Sequence, residues 1–177
     1  PETKPNDWHD LAARLLRHLD EGTTDSADST HTVAVDDYLD GDRWAVEMDP
    51  QCALCQGNLG EALRIDGHFE PAIAHLRRAL ELRPDLTVVR RGLGFALVQA
   101  GRASEAVPVL LQSVFDLPRD VDAWNFAGLA LARAGRHEEA IGHFEGAIRR
   151  APRRADLFVN LAAACASVGK IDDARRH

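Results

Sequence analysis

The apolar positions of this chain follow the period of an α-helix over most of its length. Around Phe144, the residues Ala140, Ile141, Phe144, Ala147 and Ile148 keep the i, i+3, i+4, i+7 spacing that places side chains on one helix face. Segments with this spacing are separated by glycine or proline, the two residues that most readily end a helix. The pattern therefore predicts a series of short amphipathic helices.

This pattern repeats every 34 residues. Four sets of residues keep that spacing: Pro50, Pro84, Pro118 and Pro152; Gly60, Gly94 and Gly128; Gly67, Gly101, Gly135 and Gly169; Ala72, Ala106, Ala140 and Ala174. Each unit is predicted to hold a first helix, a turn at the second glycine, a second helix, and a closing proline, which cannot continue a helix. A fixed period of this length is typical of repeat proteins, whose units stack on one another.

The small residues of the repeat have separate structural reasons. The glycines at 60, 94 and 128 are expected to let the second helix of a unit approach the first, and the alanine set supplies the matching small surface. The glycines at 67, 101 and 135 are expected to end the first helix in the left-handed backbone conformation, which glycine tolerates best.

The units resemble the tetratricopeptide repeat, whose pattern is W-x2-L-G-x2-Y, then A-x3-F, then A and P. The unit over residues 121–154 matches best, through Trp124, Gly128, Leu131, Ala140, Phe144, Ala147 and Pro152. The unit over residues 87–120 departs from the pattern at Ser113, where alanine is usual. The resemblance extends over roughly 120 residues, as expected for several stacked units.

We therefore predict an all-α fold, a right-handed α-solenoid of antiparallel helix pairs preceded by a less regular N-terminal helical segment. About three full repeats cover residues 53–86, 87–120 and 121–154, and a partial fourth covers 155–177. The N-terminal region is predicted as an amphipathic helix over 1–21, a flexible acidic linker over 22–35 with a short extended piece at 32–35, and a helix over 36–50 that caps the solenoid.

Residues 33–49 also resemble, weakly, the N-terminal lead-in of Rieske-type oxygenase subunits. The paired Cys/His motifs that hold the iron–sulfur cluster of those enzymes are absent from the sequence. The resemblance therefore implies no oxygenase activity.

The net charge of −7 is unevenly distributed along the chain. Residues 1–52 hold 13 acidic and 4 basic residues, whereas residues 53–177 hold 15 acidic and 17 basic ones. Nothing in the sequence resembles the concentrated basic face that binds nucleic acid, and no apolar run approaches the ~20 residues that span a bilayer. We expect neither a nucleic-acid nor a membrane partner, and a cytoplasmic location is the default expectation.

The stretch QCALCQ places Cys52 and Cys55 in a C-x-x-C pair. Covalent haem attachment requires a histidine directly after the second cysteine, and Gln56 stands there. A structural zinc site needs four ligands, and the pair supplies two. We expect no metal and no cofactor, and interpret the cysteines as two small, partly buried residues at the start of a helix. A reversible disulfide or an adventitious metal site is the alternative.

In the tetratricopeptide family, the first helices line a concave groove that usually holds an extended peptide or a partner helix. The resemblance implies ten groove residues here: Asn58, Arg64, Arg91, Phe95, Val98, Asn125, Phe126, Leu129, Arg133 and Asn160. We interpret Phe95 and Phe126 as apolar anchors for a ligand. Arg91 and Arg133 are expected to pair with acidic side chains that flank its apolar segment.

The predicted function is a non-catalytic scaffold that binds a protein or peptide segment. Two alternatives stay open. One is a docking or regulatory arm of a larger enzyme, such as a glycosyltransferase or a sulfotransferase, and the other is a metal- or haem-binding protein that uses the C-x-x-C pair. Leu157, Leu161 and Ile171 are expected to be poorly covered at the C-terminal end, and such apolar patches favour self-association.

Overall fold

The computed structural model describes residues 29–169, with side chains from Leu39 onward, and every regular element in this range is an α-helix. The helices are α1 Ser29–Met48, α2 Ala53–Ile65, α3 Phe69–Leu82, α4 Thr87–Gln99, α5 Ala103–Asp116, α6 Val121–Arg133, α7 His137–Arg150 and α8 Ala155–Ser167. The chain divides into two compact units, residues 1–36 and residues 37–177. The predicted all-α solenoid is confirmed in the second unit.

The helices from α2 to α8 form two layers. Each packs against the next along the chain, and α2, α4, α6 and α8 also contact one another in turn. No comparable contact joins α3, α5 and α7 within the described part of the chain. The first helices of the repeats are therefore the more closely spaced layer, which is the inner side of a curved solenoid.

The close approach of the two helices in each repeat depends on glycine. A Cβ atom added at Gly60, Gly94 or Gly128 would lie 2.6, 2.5 or 2.6 Å from the nearest side-chain atom. Those atoms belong to the large residue of the second helix, which is Leu76, Leu110 or Phe144. The predicted role of these glycines is confirmed, and the surface they meet is this large side chain, four residues after the buried alanine of each repeat.

The turns inside the repeats fall at the predicted glycines. Gly67, Gly101, Gly135 and Gly169 have φ values of 84°, 77°, 79° and 77°, which confirms the left-handed conformation. In the first repeat the N–H of Gly67 donates to the carbonyl of Arg64 at 3.1 Å, and the N–H of His68 donates to that of Leu63 at 2.8 Å. These two bonds satisfy carbonyls that the end of the helix leaves without partners.

Two N-terminal predictions need correction, because α1 begins at Ser29. Residues 29–35 are helical rather than part of a flexible linker, and the extended piece predicted at 32–35 is wrong. The two valines and the threonine of that piece are β-branched, but this lowers helix propensity by only a few tenths of a kcal/mol per residue. The helix predicted over 1–21, the first part of the linker and the end of the fourth repeat lie outside the described residues.

The expectation of a poorly covered C-terminal end is wrong for the two leucines that the structure describes. Leu157 is 0% exposed and Leu161 is 1% exposed, because α8 packs against α7. Ile171 lies outside the described residues. Among the described helices, none combines the length and the apolar character that crossing a membrane requires.

Candidate binding face

We call the layer formed by α2, α4, α6 and α8 the inner face, and all ten predicted groove residues lie on these helices. Their exposure divides them into three groups. Asn58 and Arg133 are exposed. Arg64, Arg91, Phe126, Leu129 and Asn160 are half-buried, whereas Phe95, Val98 and Asn125 are buried.

Phe95 is not available as an anchor for a ligand. Its ring is stacked on that of Phe126, with 4.0 Å between the centroids and 24° between the planes. The guanidinium carbons of Arg64 and Arg91 lie 5.9 and 5.7 Å from the Phe95 centroid, so cations cover the ring as well. Phe95 is only 8% exposed and Val98 only 1%. The interpretation of Phe95 as an open anchor is therefore wrong, because the next first helix brings Phe126 onto it.

The arginines of the inner face already have acceptors within the fold. Arg64 donates to both carboxylate oxygens of Glu61, at 2.9 and 2.7 Å, and to Oε1 of Gln99 at 3.0 Å. Arg133 donates to the backbone carbonyl of Val98 in the preceding repeat. Their geometry thus joins neighbouring repeats, and it gives no specific support to acidic side chains in a ligand.

Arg91 is held by the carboxylate of Asp120, with 2.5 Å between Nη1 and Oδ2. Asp120 is also the N-cap of α6, and its side chain accepts hydrogen bonds from the N–H groups of Asp122 and Ala123 at 3.0 and 3.1 Å. Burial raises the pKa of Asp120, but the hydrogen bonds from Arg91 and the Ala123 N–H outweigh it, so the pKa is lowered overall. The pair therefore joins α4 to the start of α6 as a charged structural contact.

The two predicted asparagines of repeats 3 and 4 bind each other. Nδ2 of Asn160 donates to Oδ1 of Asn125 at 2.9 Å, and Asn125 is only 5% exposed. The buried Asn125 amide is thereby used between α6 and α8. Asn160 stays half-buried at the surface of the inner face.

The helices of the inner face carry four exposed large apolar side chains, those of Leu54, Ile65, Val88 and Val159. Leu54 and Val88 are 54% and 60% exposed, and they occupy the same position in the first helices of repeats 1 and 2. Val159 on α8 is 67% exposed. These residues were not among the ten predicted. Leu54 and Val88 are the second residues of their helices, whereas Val159 is the fifth residue of α8.

A second feature that the sequence did not predict links the repeats through prolines. Nε2 of Gln56 donates to the carbonyl of Pro50 at 3.1 Å, and Nε1 of Trp124 donates to that of Pro118 at 3.1 Å. Arg90, at the same position of repeat 2, donates to the carbonyl of Pro84. Gln56, the residue that argued against haem attachment, thus has a structural role in the fold.

The cysteines of the C-x-x-C pair are joined as a disulfide. Cys52 is the N-cap of α2, as its predicted place at a helix start requires, and its Sγ accepts a hydrogen bond from the N–H of Cys55 at 3.2 Å. The two cysteines are partly buried at the start of a helix as predicted, and they are also bonded to each other, as in the disulfide alternative. Within the described residues, no three His, Cys, Asp or Glu side chains come together as a metal site.

Two tetratricopeptide repeat models match the sequence, one over residues 55–86 and one over residues 92–155. Together they cover more than half of the chain. The chain belongs to the tetratricopeptide repeat family. Neither match includes residues 33–49, so the weak resemblance of that segment to the Rieske lead-in gains no support.

Several solved structures share the fold of this tetratricopeptide repeat chain. MamA from Desulfovibrio magneticus RS-1 is 20% identical with a TM-score of 0.77, over 98% of this chain and 93% of that one. MamA of AMB-1 is 24% identical with a TM-score of 0.74, over 81% and 85%. YrrB, a TPR protein with an unusual peptide-binding site, is 21% identical with a TM-score of 0.72, over 90% and 86%. No curated protein matches the sequence.

Proposed function

We propose that this chain is a non-catalytic scaffold that binds an extended segment of a partner protein on its inner face. The observation that carries the proposal is the exposure of Leu54 and Val88 on that face, in the same register of two adjacent repeats. Exposed apolar side chains that the packing does not need are a common sign of a contact surface. The peptide-binding site of YrrB, which has a similar fold, supports the same type of activity.

The charges of the inner face suggest what such a segment contains. Arg64 and Arg91 are already paired with the carboxylates of Glu61 and Asp120, and Arg133 donates to the carbonyl of Val98, so these arginines offer an acidic ligand less than unpaired ones would. We therefore propose apolar side chains of the ligand as the main source of affinity. The exposed amide of Asn58 is suited to bind the ligand's backbone. In this proposal Phe126, Leu129 and Asn160 border the site, and Phe95, Val98 and Asn125 support it from below.

A docking arm of a larger enzyme would use the same face, and no observation favours that alternative. Self-association through α8 is a further prediction, which now depends on Val159 because Leu157 and Leu161 are buried.

A peptide-display selection against the purified chain tests the proposal. The binding of selected peptides is measured for the parent, for the double variant Leu54→Glu/Val88→Glu, and for Phe115→Glu. Phe115 is 80% exposed on α5 in the outer layer and is the matched control. Together the two contact residues are expected to contribute about 2 kcal/mol, about 1 kcal/mol from each, so the double variant is expected to bind roughly thirtyfold more weakly, while the control binds like the parent.

Thermal unfolding of all three proteins establishes that they are equally folded. If the double variant binds the selected peptides as tightly as the parent does, the surface around Leu54 and Val88 is not the binding site. A loss confined to Phe115→Glu would place binding on the outer layer instead.

A further inference from the structure

The Cys52–Cys55 disulfide lies where the chain enters the first repeat. The two Cα atoms are 5.3 Å apart, and only Ala53 and Leu54 separate the bonded residues. Both cysteines are half-buried, so a small thiol in solvent has access to the bond. Cys165 is different, because it lies on α8 and is 3% exposed.

The two sulfur atoms of the disulfide are not equivalent. Sγ of Cys52 is at the N-cap position of α2 and accepts the N–H of Cys55 at 3.2 Å. The N-terminus of a helix stabilises negative charge, because its first N–H groups have no partners in the helix. When the S–S bond breaks, the negative charge is therefore more stable on Sγ of Cys52 than on Sγ of Cys55.

We propose that Cys52 and Cys55 form a reversible thiol–disulfide site, which a dithiol reductant opens and a small-molecule disulfide closes. In the opening step, a thiolate of the reductant attacks Sγ of Cys55, and the electron pair of the S–S bond leaves on Sγ of Cys52. The second thiolate of the reductant then attacks its own sulfur in the mixed disulfide and releases Cys55. The reductant ends as a disulfide, and the protein gains two electrons and two protons.

Contacts other than the disulfide also fix the start of α2. Gln56, the residue after Cys55, is 5% exposed. Its Nε2 donates to the carbonyl of Pro50 at 3.1 Å, and its Oε1 accepts from Nδ1 of His75 at 2.7 Å. These bonds link the first turn of α2 to the preceding turn and to α3, and neither of them involves a sulfur atom of the disulfide. The site therefore opens and closes without unfolding the first repeat.

Opening the site changes the first turn of α2, which carries the exposed Leu54 of the inner face. The disulfide limits the torsion angles of the residues between the cysteines, and its reduction removes that restraint. Amide hydrogen exchange at Cys55 is expected to become several-fold faster in the reduced protein, while exchange at Leu63, in the interior of the same helix, stays unchanged. Equal exchange at Cys55 in both states would show that the bond does not restrain this turn.

Sequential labelling of the folded full chain tests the redox proposal. Samples equilibrated with dithiothreitol or with oxidised glutathione are treated with iodoacetamide, unfolded, treated with N-ethylmaleimide, and analysed by peptide mass. After dithiothreitol, Cys52 and Cys55 are expected to carry the first label and Cys165 only the second. After oxidised glutathione, Cys52 and Cys55 are expected to carry neither label, and a second exposure to dithiothreitol is expected to restore the first pattern.

Two outcomes of that labelling would overturn the proposal. If Cys52 and Cys55 take the first label after both treatments, the disulfide does not form in the folded protein. If they resist dithiothreitol until the chain is unfolded, the disulfide is a permanent structural bond.

The single variants Cys52→Ser and Cys55→Ser test which sulfur leaves. Cys52 in the Cys55→Ser variant is expected to react with iodoacetamide at neutral pH about tenfold faster than Cys55 in the Cys52→Ser variant. Reduced parent protein, in which both rates are read from the same peptide, gives the answer if either variant fails to fold. An equal or faster rate at Cys55 would show that the leaving sulfur has been assigned wrongly.

Discussion

Repeats 1 and 3 make chemically different contacts at two equivalent positions, one in the first helix and one in the second. In repeat 3, Trp124 donates to the carbonyl of Pro118 at 3.1 Å, and its ring lies 5.4 Å from that of His143. In repeat 1, Gln56 donates to the carbonyl of Pro50 at 3.1 Å and accepts from His75 at 2.7 Å. Two repeat lengths separate His75 from His143, and also Gln56 from Trp124. The position therefore requires a donor toward the proline and a partner in the second helix.

The first helix of each repeat contacts the preceding proline and the second helix at this position, and we call this contact the joint of the repeat. The difference between repeats 1 and 3 shows two ways of stabilising the joint. The Trp124 ring also lies 4.1 Å from the guanidinium carbon of Arg150 and is packed above Gly146, so repeat 3 relies on dispersion and cation–π attraction. Gln56 has no aromatic surface and relies on two part-buried hydrogen bonds. We expect the joint of repeat 3 to be sensitive to volume, and the joint of repeat 1 to be sensitive to the loss of a polar partner and to pH.

The largest effect is expected from adding one methyl group under Trp124. A Cβ at residue 146 would lie 2.4 Å from Cε3 of that ring, so Gly146→Ala is expected to destabilise the protein by about 1–3 kcal/mol through overpacking. Gly142→Ala is the matched control in the same helix, because its Cβ would meet no atom within 4 Å. The control is expected to stabilise by about 0.5–1 kcal/mol through helix propensity. Urea unfolding measures both free energies.

The decisive result is that the two substitutions change the free energy of unfolding in opposite directions. A stabilising Gly146→Ala would mean that the Trp124 ring moves aside without cost, and the proposed sensitivity of repeat 3 to volume would be wrong.

A smaller effect is expected from removing the polar partner in repeat 1. Gln56→Leu keeps a side chain of similar size but leaves the carbonyl of Pro50 and Nδ1 of His75 without their partner. A hydrogen bond contributes about 0.5–1.5 kcal/mol, so losing these two part-buried bonds is expected to cost about 1–3 kcal/mol. Gln112→Leu is the control, because Gln112 is exposed and its side chain donates to Asp116 at 2.8 Å. Its free energy of unfolding is expected to change by less than about 0.5 kcal/mol. If the two variants unfold at the same urea concentration, the hydrogen bonds of Gln56 are not what stabilises this joint.

The features that the sequence predicted are those that one local pattern determines. A glycine at the end of a helix and a proline after the next one impose backbone geometry regardless of the neighbours, and so the helix order and the turns were predictable. The buried Ser113 is a similar case, because its hydroxyl donates to the carbonyl of Val109 at 2.9 Å within its own helix. A serine at the position usual for alanine therefore needs no partner from another helix.

The features that the sequence did not predict depend on contacts between repeats or on chemistry that changes from repeat to repeat. The burial of Phe95 follows from its stacking on Phe126, in the next repeat. The donors to the prolines are glutamine, arginine and tryptophan, and no single residue type marks the position. The cysteine pair was recognised, but its bonded state depends on side-chain torsions that a sequence pattern does not contain.

The smallest effect is expected from pH, and it is confined to repeat 1. Burial lowers the pKa of His75 below its usual value of about 6.5. The unfolded chain therefore binds a proton at this residue at a higher pH than the folded chain does, so the free energy of unfolding decreases as the pH falls below about 6.5.

The variant His75→Gln tests this expectation. It removes the titrating group, and the glutamine amide can still donate to Oε1 of Gln56. The parent is expected to lose more stability than this variant between about pH 7 and pH 5, as measured by urea unfolding at each pH. The two proteins differ only at residue 75, so the difference between the two profiles isolates His75. Parallel profiles for the parent and His75→Gln would show that the joint of repeat 1 does not respond to pH.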